Sequence, residues 1–109
     1  MDKVILYQSE RPDVKVTIEA YFDDENLVID GYDIGDFVEK YWGDSDYEYS
    51  TTVFATEVIK LYKLFNIGEG DKEGLLKAIA SEYNDNSCYS NFRTFLDLNG
   101  IRYESFSWM

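Results

Sequence analysis

The sequence predicts one small α+β domain: a mostly antiparallel sheet of about four to five strands packed against about three to four helices. Three observations predict it. Residues 13–22 alternate apolar and polar with period two. Later segments carry apolar residues at helical spacing instead. The early strand-like segments are joined by short polar turns, which suit antiparallel pairing and leave no room for a crossover. A chain of 109 residues is the length of a single domain, and it shows no repeat, linker or low-complexity stretch.

Lys3 to Gln8 reads as a short strand. Ser9 to Asp13, with the only proline at Pro12, reads as a turn. From Asp13 to Phe22, Val14, Val16, Ile18, Ala20 and Phe22 share one face. Asp13, Lys15, Thr17, Glu19 and Tyr21 share the other, as in a half-buried strand. Asp23-Asp24-Glu25-Asn26 is a polar turn, and Leu27 to Ile29 starts a further strand, so a hairpin is expected.

Asp33 is placed to cap a helix, with Asp36 in its first turn, where the helix dipole favours negative charge. Ile34, Phe37, Val38, Tyr41 and Trp42 would form its apolar stripe and Gly43 would end it. Tyr47 to Phe54 returns to strand pattern, with Tyr47, Tyr49, Thr51 and Val53 on one face and expected in the core.

The second half is mainly helical. Val58, Leu61, Tyr62 and Phe65 stripe a helix from Thr56 to Phe65, and Gly68-Glu69-Gly70 breaks it. Asp71 caps a second helix bearing Leu75, Leu76, Ile79, Ala80 and Tyr83. Ser87 caps a third bearing Phe92, Phe95 and Leu96, stopped by Asn99-Gly100. Ile101 to Trp108 reads as a final strand pairing back into the sheet. The expected order is β-β-β-α-β-α-α-α-β.

Composition narrows the function. Aromatics at 17 % and hydrophobics at 45 % are too many for a disordered acidic tail. With no histidine, serine–histidine and cysteine–histidine catalysis and histidine metal sites are excluded. The longest early apolar run, Val4-Ile5-Leu6-Tyr7, is too short for a secretory signal or a membrane span, so a cytoplasmic protein is expected. Cys88, the single cysteine, has no partner for an internal disulfide and reads as an inert packing group.

The charge is concentrated. Of a net −12, residues 23–48 carry −9: Asp23, Asp24, Glu25, Asp30, Asp33, Asp36, Glu39, Asp44, Asp46 and Glu48 against Lys40 alone. Such a balance excludes a basic footprint for nucleic acid. Uncompensated carboxylates repel one another and burden the compact state, so their clustering points to a docking surface for a basic partner. Aromatics interleave with the acids, and interfaces favour tyrosine and tryptophan. Tyr41 and Trp42 lie on the apolar stripe, whereas Tyr32 is the aromatic least explained by packing. The expected contact set is Asp30, Tyr32, Asp33, Asp36, Glu39, Asp44, Asp46 and Glu48.

Other chemistry finds little support. Asp44-Ser45-Asp46-Tyr47-Glu48 begins like a calcium loop. Such a loop needs glycine at its sixth position and glutamate at its twelfth, where this chain has Tyr49 and Ala55. A simpler magnesium or manganese site on Asp44 and Asp46 stays open as an alternative. No glycine pattern cradles a nucleotide. The arginines Arg11, Arg93 and Arg102 are scattered, the latter two placed to balance local acids.

The leading functional expectation is therefore a small acidic inhibitor, of immunity-protein or nucleic-acid-mimic type. It would occlude a basic protein, such as a nuclease or another nucleic-acid-binding enzyme, and would need no cofactor or catalytic residue. The alternative is a divalent-metal-binding domain or metal-dependent enzyme using Asp44 and Asp46. A plainer reading assigns the charge to solubility alone.

Overall fold

The computed structural model describes residues 3–11, 14–35 and 46–108. It is an α+β fold with a five-stranded antiparallel sheet in the order β1-β2-β3-β4-β5. The strands are β1 (Lys3–Glu10), β2 (Lys15–Asp23), β3 (Asn26–Ile34), β4 (Asp46–Val53) and β5 (Glu104–Trp108). Between β4 and β5 the chain forms α1 (Ala55–Leu64), α2 (Lys72–Glu82) and α3 (Cys88–Leu98). Among the described residues no helix is long and apolar enough to cross a membrane.

The period-two pattern of β2 does what it predicts. Ile18, Ala20 and Phe22 are buried, and Leu27 and Ile29 of β3 and Val53 of β4 share their face. The β1–β2 register shifts between Ile5 and Tyr7, a bulge that accommodates the buried Leu6. Onto this face pack Val58, Leu61 and Tyr62 of α1, Leu75, Leu76 and Ile79 of α2, and Phe92 and Leu96 of α3. Cys88 is fully buried in the same core, and desolvation pushes its thiol up to about 11, which makes it a poor nucleophile.

Helix ends follow local chemistry. Asp71 Oδ1 accepts the Gly74 N–H, as its position predicts. The α1 N-terminus borrows its cap: Asn26 Oδ1, from the first residue of β3, accepts the Ala55 N–H at 3.0 Å. At the end of α3, Ile101 N–H reaches the Leu96 carbonyl and Gly100 N–H the Asp97 carbonyl, with Gly100 at φ 65°. This is the Schellman arrangement that Asn99-Gly100 foretells. Ser87 occupies the N-cap position of α3, but its side chain makes no capping bond.

The expected start of one element is corrected. Asp33 does not begin a helix, because β3 runs on through Ile34. Asp33 is held between Val16 of β2 and Tyr47 of β4, and Ile34 between Lys15 and Asp46. Paired on both sides, these residues satisfy their backbone in the ladder and need no helical turn. The rest of the expected helix, from Asp36 to Trp42 with its stop at Gly43, lies outside the described residues.

The helices cover one face of the sheet. The other face, among the described residues, carries no helix and faces outward.

Candidate functional site

Strand alternation sorts the acidic segment between the two faces. Glu19 of β2, Asp30 and Tyr32 of β3, Glu48 of β4, and Glu104 and Phe106 of β5 alternate away from the core residues and mark the open face. Glu19 stands directly opposite Asp30, and Tyr32 opposite Glu48. Glu19, Asp30, Tyr32 and Glu48 line a depression of about 290 Å³.

Directly opposed carboxylates such as Glu19 and Asp30 destabilise a sheet unless something offsets them. Two contacts do. Lys3 Nζ lies 3.0 Å from Glu19. The Tyr21 hydroxyl donates to Asp30 Oδ2 at 2.8 Å. Burial and then that bond to Asp30 push the Tyr21 hydroxyl up to about 12, so it stays a donor throughout the physiological range.

The compensation stops partway across the sheet. At the β1–β2 side Lys3 pairs with Glu19 and Lys15 with Glu10. Towards β5, Asp30, Glu48 and Glu104 form no ion pair among the described residues. The same region exposes Phe106, at 58 %, and Tyr32. An open face with unbalanced carboxylates and accessible rings has the makings of a contact surface.

The expected contact set is thus divided. Asp30, Tyr32 and Glu48 come together on the open face. Asp33 points to the helix side, where its Oδ1 accepts the Tyr49 hydroxyl at 2.8 Å. Asp46 lies in β4, opposite Ile34. Asp36, Glu39, Asp44 and the side chain of Asp46 lie outside the described residues, and with them the alternative metal pair. Among the described residues no three cysteine, aspartate or glutamate side chains group to hold a metal ion.

Glu19, Glu104 and Phe106 join the surface without having been singled out. Glu19 was legible, since the β2 alternation puts it outward with Tyr21. Glu104 and Phe106 depend on the β4–β5 register, in which Thr52 meets Glu104 and Ser50 meets Phe106. No local pattern specifies that register.

The helix side of β3, β4 and β5 holds a second feature, a polar cavity. Tyr47 and Tyr49, expected in the core, are only half-buried and form part of its lining with Asp33, Tyr89 and Arg93. Burial pushes the Asp33 carboxyl above its ordinary value, and the bond from Tyr49 holds it back only in part. Arg93, expected to balance acids, makes no ion pair among the described residues. Arg102 does reach Glu57, with Nε 4.0 Å from its carboxylate.

Comparison of the chain with protein-family models, with curated proteins and with solved structures finds no match.

Proposed function

We propose that the protein is an inhibitor that binds a basic, nucleic-acid-handling protein through its open sheet face and blocks it by occlusion. The observation that carries this reading is the run of Asp30, Glu48 and Glu104 without basic partners among the described residues, beside the exposed rings of Tyr32 and Phe106. Carboxylates on a firm sheet present negative charge at fixed spacing, as a phosphate backbone does. A partner arginine or lysine surface would satisfy them, and the rings would supply apolar contact at its centre. Occlusion needs no catalytic group. The rest of the net charge of −12 would steer the encounter.

The test compares the parent with the variant Asp30→Asn/Glu48→Gln/Glu104→Gln as baits in a nuclease-treated lysate of the source cells. The recovered partner is then measured directly. The reading expects a basic protein whose association rate falls with added salt and falls again for the variant. It also expects the partner's nucleic-acid binding to be blocked by the parent. A partner that binds both baits equally across a salt series, or that keeps its nucleic-acid binding, overturns it.

A further inference from the structure

The cavity on the helix side belongs to neither the open face nor the hydrophobic core. It measures about 390 Å³ and is walled by Asp33, Tyr47, Tyr49, Tyr89, Arg93 and Ser105, among others. That is the size range of small-molecule pockets, which combine flat apolar walls with a few convergent polar groups.

Its polar groups are unevenly satisfied. The Arg93 Nε is buried and has no hydrogen-bond partner among the described residues. The guanidinium is flanked by Tyr89 and Tyr103, with its carbon 5.9 Å and 5.6 Å from their ring centroids. Aromatic faces hold a cation in place without neutralising it. In so acidic a chain, a half-buried arginine with no ion pair among the described residues has the chemistry to take an anion.

Hydroxyls form part of the wall beside Arg93. Thr51 Oγ1 lies 2.6 Å from the Tyr89 hydroxyl and 2.8 Å from Ser105 Oγ. Tyr89 also bonds Ser105, so the three hydroxyls satisfy one another at the cavity wall. From β3, Asp33 lines the cavity with one carboxylate oxygen engaged by Tyr49. The rings of Tyr49 and Tyr89 meet edge to face at 4.7 Å, and both line the cavity.

We infer that this cavity binds a small aromatic carboxylate that bears a hydroxyl or N–H at its far end. The carboxylate meets Arg93, whose Nε has no hydrogen-bond partner among the described residues. The ring lies against the tyrosines, and the far donor meets Asp33. An anion alone would leave Asp33 facing it unrelieved, and a neutral ring would leave Arg93 unmet. The cavity opens on the helix side of the sheet and shares Phe106 with the docking surface, and its occupancy is tested by a small-molecule probe that needs no protein partner.

The probe is 4-hydroxybenzoate, titrated into the isotope-labelled protein and followed by amide shifts. Saturable shifts are expected at Thr51, Tyr89, Arg93 and Ser105. The neutral 4-hydroxybenzamide is expected to bind at least about tenfold more weakly, and Arg93→Gln to weaken the acid by a similar factor while Arg93→Lys retains part of the affinity. Absence of saturation up to roughly 20 mM, equal binding of acid and amide, or equal binding by a folded Arg93→Gln each overturns the assignment. If Arg93→Gln fails to fold, the acid-against-amide comparison on the parent decides alone.

Discussion

The ring of Tyr49 occupies the volume that a side chain at Gly31, its cross-strand partner, would need. A sheet glycine offers no side chain to pack, and an aromatic neighbour laid over it restores the contact. The arrangement also aims the Tyr49 hydroxyl at Asp33, two residues further along β3. Glycine at 31 is thus required by close approach.

Gly31→Ala should therefore destabilise the fold by roughly 1–3 kcal/mol, the usual range for overpacking, by driving Tyr49 from its seat. Tyr49→Phe keeps the ring and loses only the bond to Asp33, at about 1 kcal/mol. Denaturant unfolding of both variants, and of Gly31→Ala in a Tyr49→Ala background, checks the cause. If the alanine costs as much without the ring as with it, the clash is not the reason.

Asp33 should make stability depend on pH in the direction opposite to most carboxylates. Its pKa is raised in the folded protein, chiefly by desolvation. The native state therefore holds the proton more tightly than the unfolded chain. This group's contribution is most favourable at low pH and declines as pH rises from the unfolded value through the raised native one. An asparagine side chain at this position would still accept from Tyr49 and carries no charge to bury. Asp33→Asn should accordingly gain stability relative to the parent between about pH 3 and about pH 7. A constant difference across that range would sink the argument.

Glu57 should behave the other way. Its carboxylate accepts the Arg102 N–H at 2.8 Å and lies 3.1 Å from Lys60 Nζ, tying α1 to the chain leading into β5. The backbone bond first, then Lys60, holds its pKa below the ordinary value. A lowered pKa adds stability that is complete above the unfolded value and lost as pH falls through the native one. Acid titration of Glu57→Gln should show a shallower loss than the parent. A parallel loss would place the acid sensitivity elsewhere.

Added salt should raise the melting temperature. The uncompensated charge of −12 repels itself, and screening relieves that repulsion. The exposed pairs that salt weakens, such as Lys15–Glu10 and Lys77–Glu73, contribute little each. Asp30→Asn/Glu48→Gln should shrink the rise. A melting temperature that falls between about 10 mM and about 300 mM sodium chloride would contradict this balance.

Much of the architecture was legible because its signals are local. The alternation from Lys15 to Phe22, the Asp71 cap and the Asn99-Gly100 stop each depend on a few neighbouring residues, and each stands where expected. Asp33 misled because aspartate before an apolar stripe reads the same whether it caps a helix or sits in a ladder; only pairing with Val16 and Tyr47 decides. The split between Asp30 and Asp33 follows from strand parity once β3 is known to continue. Arg93 reads in sequence as balancing local acids, yet it makes no ion pair among the described residues. Whether an arginine meets a carboxylate depends on how α3 lies against β4, which is distant in sequence.

The β4–β5 pairing joins Thr51 to Ser105 across 54 positions, whereas β2 and β3 close through a tight turn at Asp24 and Glu25. The cost of closing a loop grows with its length, so the first hairpins are expected to close before β5 docks. The polar cavity takes one wall from β5 and is complete only at that last step. A molecule held there would stabilise contacts absent from the folding transition state. It would lengthen the lifetime of the native protein while leaving the speed of folding almost unchanged.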